Sequence, residues 1–427
     1  MKNIRIVILS LALLSLALVS CRKDLEDDIL NPNERYDVMT MKSYARQFEA
    51  VWQGINSSYV FWSRDETDWD AKYDEYYPKF AALDNQSKVD DSVFTDLWVG
   101  VVGGLLDHHF VLTVKNLKGQ GANNFRIGGS AREVRTRAEY KETATSAQYA
   151  ALANHERLID GSLKVTSSPS NMRSALLRKD NGEKIAYFRL GGFNISNMSG
   201  KARNDASWAP LAYFYGIDWL NSAYGRNDFI ERSGNTYYGV QSGWINEDDV
   251  TGIIIDVRGN GGGNASELTF IAGGLTQSNT HYGYSRTKEG IGRLDYSAWT
   301  PFILRTPSKH LNSQKPIVVL ADCNSYSCAE ITTQLIHSLP NGYFIGIRTG
   351  GATCPLMPGG FNILLSGVFG DVDKYGYYCY TSNFDLVTTD YTSLEGKGVT
   401  PDKMVQYEGA NGKDEQLDAA IEYLMTK

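Results

Sequence analysis

The stretch Lys315–Leu339, KPIVVLADCNSYSCAEITTQLIHSL, constrains the fold of this chain more than any other segment. It reads as a buried strand, a sharp turn and an amphipathic helix. Ile317–Leu320 is a short apolar, largely β-branched run after Pro316. From Cys328 the apolar residues fall at Ile331, Leu335, Ile336 and Leu339, which is helical spacing, and Pro340 stops the helix. Ser327 stands where the turn becomes the helix. Unpaired backbone N–H groups and the positive end of the helix dipole converge there. A hydroxyl at that point can attack a carbonyl while nearby N–H groups hold the developing oxyanion. Most serines at helix starts are only N-caps, and taken alone this segment favours that reading.

A second segment bears on that choice. Thr251–Asn264, TGIIIDVRGNGGGN, is an apolar strand, then Asp256-Val257-Arg258, then a glycine run that leads toward a helix. Glycines let the backbone turn tightly and present N–H groups to a ligand. Neither G-x-x-x-x-G-K-[ST] nor G-x-G-x-x-G is present, so a nucleotide site is not predicted.

With both segments in hand, the chain resembles the family of C-terminal processing peptidases and tricorn-core serine peptidases. Its motifs occur in family order. Leu105-Leu106-Asp107-His108-His109 resembles the "L-x-D-x-H" helix end. Lys184–Phe193, KIAYFRLGGF, resembles the strand that opens the catalytic core. DVRGNGGG at Asp256–Gly263 and SYSCAE at Ser325–Glu330 follow, the family serine standing three residues before a glutamate. Leu394–Asp402, LEGKGVTPD, resembles a segment near the end of the core. The resemblance implies an α/β fold, with a ClpP/crotonase-like catalytic core behind an N-terminal helical domain. It also implies a serine-type peptidase that needs no cofactor.

One departure matters. In the processing-peptidase branch a lysine base follows the "G-x-x-T-x-G" turn. Here that turn is Gly346–Gly351 and the lysine position is Ala352. The tricorn-like branch uses a histidine and a distant glutamate, which implies Ser327 as nucleophile, His109 as base and Glu395 as orienting acid. Imidazole has a suitable unperturbed pKa for taking the serine proton, and a carboxylate behind the ring would stabilise the imidazolium. The apolar phase Phe94, Leu97, Trp98, Val101, Leu105 does not choose between His108 and His109. Lys397 is a rival base, although a lysine two residues from Glu395 is ordinarily a solvated partner. The oxyanion hole is expected from the Cys328 N–H and the glycine turn, Gly262 ahead of Gly263. Histidines and cysteines show no metal-ligand spacing, so no metal site is expected.

The N-terminus bears on location. Lys2 and Arg5 precede the apolar run Ile6–Val19, which has signal-peptide layout. Leu18-Val19-Ser20-Cys21 resembles a bacterial lipobox, with acyl transfer to Cys21. The expected layout is a lipoprotein signal peptide at 1–20, a polar tether at 21–40, a helical domain at 41–115, a connecting region at 116–182 with a PDZ domain absent or degenerate, and the catalytic core at 183–427. The expected location is the bacterial cell envelope, lipid-anchored at the outer membrane. A formal net charge of -7 without a basic stripe argues against nucleic acid as a partner. The expected partners are a peptide or protein substrate and the membrane, through the anchor. The alternatives are a non-catalytic peptide- or glycan-binding lipoprotein of the same fold, and a small-ester hydrolase, which the missing G-x-S-x-G disfavours. Cys323, Cys328, Cys354 and Cys379 allow three disulfide pairings that the sequence leaves open.

Overall fold

In a computed structural model, the protein is described at residues 43–119, 124–128, 131–165, 172–193, 250–306, 310–311, 313–354 and 367–427. The Cys21 segment lies outside these residues. Helices α1 (Tyr44–Ser58), α2 (Trp69–Leu83) and α3 (Asp91–Val102) open the described chain. They pack through Tyr44, Phe48, Phe80, Phe94 and Trp98, all fully buried. Among the described residues, no helix is long and apolar enough to cross a membrane.

Strand β1 (Val111–Lys115) follows the histidine pair and pairs with β2 (Asn124–Gly128). The connecting region then supplies α4 (Ala131–Thr136), α5 (Thr145–Ala153), β3 (Lys164–Val165) and β4 (Arg173–Arg178). The central sheet adds β5 (Lys184–Arg189), β6 (Val250–Asp256), β9 (Ile317–Ala321), β10 (Gly342–Gly346) and β14 (Lys403–Met404). Its order is β14-β10-β9-β6-β5-β4-β3. The run from β5 to β14 is parallel, and β4 and β3 add antiparallel. The sheet therefore begins before residue 183, because Ala175 and Leu177 bury their side chains within it.

Strand alternation sorts the core onto two faces. Ile185, Tyr187, Ile254, Val318 and Leu320 face the C-terminal helix α7 (Glu415–Met425) through Leu417, Ile421 and Leu424. Ala186, Phe188, Ile253, Ile255, Ile317 and Val319 join the cluster that holds α6 (Cys328–Ser338) through Ala329, Ile331 and Leu335. Burial on both faces explains why residues 253–255 of β6 and the whole of β9 read as apolar runs.

Adjacent parallel strands carry the two turns of interest. Asp256, ending β6, pairs with Leu320 near the end of β9. The glycine turn and the serine turn thus leave the sheet at one carboxyl edge, where open α/β sheets place their sites. Two smaller sheets border that edge. One has the order β11-β12-β1-β2, with β11 at Val368–Asp371 and β12 at Tyr377–Tyr380. The other has the order β13-β7-β8, with β7 at Thr280–Thr287, β8 at Thr300–Leu304 and β13 at Phe384–Thr388.

Candidate active site

Ser327 precedes α6 with φ 55° and ψ −123°, and its side chain caps no helix N–H. A left-handed backbone at a non-glycine residue costs of order 1–3 kcal/mol and persists only where the surroundings impose it. Here the Ser327 N–H donates to Ala352 O at 2.8 Å, and the Tyr326 N–H donates to Asn260 O at 3.0 Å. Ser325 lies two residues earlier and is spent on structure. Its hydroxyl donates to Val257 O at 2.8 Å and accepts from the Asp322 N–H at 3.0 Å.

The glycine turn backs directly onto the serine. Gly262 has φ 90°, and a Cβ there would lie 2.6 Å from the Ser327 Cβ and 3.0 Å from the Cys328 nitrogen. Its N–H, however, donates to Asn260 Oδ1 at 2.8 Å. That bond corrects the expectation that Gly262 leads the oxyanion hole, because an N–H already spent is a poor donor to an oxyanion. The N–H groups of Gly263 and Cys328 have no acceptor among the described residues. Asn260 also donates from Nδ2 to Leu190 O at 2.8 Å, so one residue ties the chain just after β5 to the glycine turn through its side-chain amide and to the serine turn through its backbone carbonyl.

Asp256 and Arg258 of the same motif fasten the turn from below. Arg258 bonds Asp414 with both terminal nitrogens, at 2.8 Å each, and bonds Asp256 as well. Arg189 bonds Asp256 from the next strand at 3.2 Å. Burial opposes a charge on Asp256, but the two guanidinium groups outweigh it and hold its carboxyl at about 2. A buried charge needs such pairing to persist.

His108 and His109 follow the end of α3 and are carried into β1, whose pairing with β12 anchors them to the core. Asp107 accepts the His109 N–H at 2.8 Å, and also the Thr381 hydroxyl and the Ser382 N–H and hydroxyl. A ring nitrogen of His109 and carboxylate oxygens of Asp107 and Glu395 all lie within 4.8 Å of one another. Asp107 thus accepts four N–H and O–H donors, whereas Glu395 accepts two backbone N–H groups, one on each oxygen. His109 Nδ1 is buried without a hydrogen-bond partner among the described residues. His108 meets Glu395 through its backbone N–H, at 3.1 Å, and its Nδ1 lies 3.1 Å from Gly350 O. Burial pushes the His108 ring down to about 4. It lowers His109 too, against the opposing charge of Asp107.

Glu395 is 1% exposed and accepts the Cys354 N–H at 2.9 Å. Burial, with Asp107 nearby, pushes its carboxyl well above the usual range. Lys397 is exposed, so it is not part of this buried cluster. Ala352, at the lysine position, is buried and contributes its carbonyl to Ser327. The structure thus brings His109 to Glu395. It joins Ser327 to them through the loop Thr349–Cys354, with no hydrogen bond between the serine hydroxyl and either imidazole. Such contacts are often long in a free site and tighten around substrate. All four cysteines in the described residues are free and buried, and burial holds Cys328 up at about 12.

Three participants escaped the reading of the sequence: Asn260, Asp107 as a hub, and Glu330 as an acceptor for the Thr349–Ala352 loop. Asn260 and Glu330 stood within motifs already singled out. Their roles depend on partners far away in sequence.

Comparison with known proteins points one way. The family model for peptidase family S41 matches residues 227–405. Tricorn protease of Thermoplasma acidophilum is 27% identical over 187 residues, covering 43% of this chain and 15% of that protein. The chain therefore spans a small part of that relative's length. A protein of Parabacteroides merdae, solved as a candidate peptidase, shares the fold with a TM-score of 0.60. It is 20% identical and covers 90% of this chain and 97% of its own. Mature CPAF, solved with lactacystin, gives a TM-score of 0.54 at 12% identity, over 91% of this chain and 98% of its own.

Proposed function

We propose that the chain is a member of peptidase family S41, whose model matches residues 227–405, and that it is an exported, lipid-anchored serine endopeptidase. The observation that carries the reading is the strained Ser327 at the start of a buried helix, tied by one loop to the His109–Glu395 pair. The Ser327 hydroxyl gives its proton to the His109 ring as its oxygen bonds the scissile carbonyl carbon. The carbonyl oxygen becomes an oxyanion facing the N–H groups of Cys328 and Gly263. A donor of this kind contributes about 3–4 kcal/mol to the transition state. Collapse breaks the C–N bond, and the imidazolium returns the proton to the leaving amine. Water then repeats the sequence on the acyl-enzyme. Glu395 orients the ring and, when ionised, stabilises the imidazolium.

The test is fluorophosphonate labelling with mass-spectrometric mapping. Label should enter at Ser327, and Ser327→Ala should abolish both labelling and peptide hydrolysis. Label at Ser325, or unchanged turnover in the alanine variant, refutes the assignment. Absence of any label would favour a non-catalytic peptide- or glycan-binding role. Location in the bacterial cell envelope rests on the Cys21 lipobox. Cys21→Ser should release the protein from the membrane fraction, and its retention there would point to an uncleaved anchor.

A further inference from the structure

Glu330 lies one helical turn after Ser327, is fully buried, and has no part in the chemistry above. Its carboxylate accepts the N–H groups of Gly351 and Ala352, each at 2.6 Å, and the Thr349 hydroxyl at 2.5 Å. These donors belong to the loop that holds the rest of the site. Ala352 O accepts the Ser327 N–H, and Gly350 O faces the His108 ring. Cys354 donates to Glu395, and Gly351 O accepts the Gly396 N–H at 2.7 Å. One carboxylate therefore fastens the nucleophile helix to the segment that touches the histidine pair and the acid.

We propose that Glu330, in its charged form, is a positioning residue that pins the Thr349–Cys354 loop to the nucleophile helix, so that the site is assembled only while Glu330 is ionised. The inference rests on the peptidase reading. Its surroundings are mixed. The Arg137 guanidinium from the connecting region favours the charge, as do the loop donors. The phenols of Tyr282, on β7, and Tyr326, on the serine turn, face it, and so does the Glu395 carboxylate. Burial is the largest influence and pushes the carboxyl up to about 7. Once protonated, one oxygen becomes a donor facing a backbone N–H. A buried N–H without an acceptor is costly, so the loop shifts rather than keep it. Misplacement of reacting groups by about 1 Å costs on the order of 100-fold in rate.

The experiment measures the rate of fluorophosphonate labelling at Ser327 against pH, in the wild type and in Glu330→Gln. The wild-type rate should rise as pH passes upward through about 7. Glutamine stays neutral and cannot accept from both N–H groups. Its rate should match the wild type at low pH, keep only the rise at lower pH that His109 ionisation gives, lack the rise through about 7, and fall about 100-fold short above neutral. Glu330→Asp keeps the charge and should restore the rise. A rise through about 7 retained in Glu330→Gln, or wild-type labelling by that variant above neutral, overturns the proposal. Should Glu330→Gln not fold, the wild type still decides. Carboxyl ionisation is nearly athermal and imidazole ionisation is not, so the midpoint should hardly move with temperature; a marked shift overturns the proposal. A wild type that takes no label at any pH overturns the peptidase reading instead, and this inference with it.

Discussion

His109 and His108 are neighbours in sequence, yet their rings meet different groups. The His109 ring approaches the Glu395 carboxylate, whereas the His108 ring faces the Gly350 carbonyl and reaches Glu395 only through its backbone. An unactivated serine is a weak nucleophile, so losing the base costs far more than losing a loop contact. His109→Ala should lower kcat by about three orders of magnitude or more, by analogy with other triads. His108→Ala should cost much less and Lys397→Ala almost nothing, since that side chain lies in solvent. Parallel turnover assays on the three variants check the ranking, and an inactive Lys397→Ala would move the base to lysine. Burial also lowers the His109 pKa, so its ring should titrate below the ordinary value of about 6.5. NMR titration of ring-labelled protein reads this directly. A midpoint above the ordinary value would mean that Glu395 keeps its charge in the free site and holds the imidazolium.

At the scale of elements, the serine turn stores strain that serves position rather than stability. The φ of 55° at Ser327 is one that glycine adopts at little cost. Ser327→Gly should therefore abolish labelling yet stabilise the fold by about 1 kcal/mol, read from urea unfolding. A destabilised glycine variant would mean that the serine side chain contributes packing that outweighs its strain. The strand, the turn and the helix at Lys315–Leu339 were legible because each is local. Apolar runs, helical spacing and a terminal proline lie within one stretch of chain. The glycine turn was legible for the same reason. Which glycine N–H remains free was not, because Asn260 is an ordinary turn residue until its amide is seen to accept from Gly262. The Thr349–Cys354 loop was legible only as a departure from a lysine motif. Its work lies in contacts to Ser327, His108, Glu330 and Glu395, which come from separate elements.

Across the whole molecule, the site is a buried collection of ionisable groups, and folding shifts them in opposite directions. Burial lifts the carboxyls of Glu330 and Glu395 and lowers the imidazoles of His108 and His109. A lifted carboxyl favours the folded state at low pH, and a lowered imidazole favours it at high pH, so the two sets offset each other in the mildly acidic range. Substituting one member exposes its share. Glu330 has an ordinary value of 4.5 and reaches about 7 when folded. Folding favours its neutral form relative to the unfolded chain, so its stabilisation is complete below the unfolded value and is lost as pH rises through the folded one. Above neutral, keeping it charged costs about 3 kcal/mol relative to a neutral group of the same shape. Glutamine never pays that cost, although it gives up one acceptor at every pH. The stability difference between Glu330→Gln and the wild type should therefore move by about 3 kcal/mol in favour of the variant as pH rises from the acid range to above neutral. The histidine contributions are common to both proteins and cancel in the difference. Urea unfolding at a series of pH values measures it. A difference that stays constant with pH would show that Glu330 ionises alike in the folded and unfolded chains, and that the loop it holds asks no electrostatic concession from the fold.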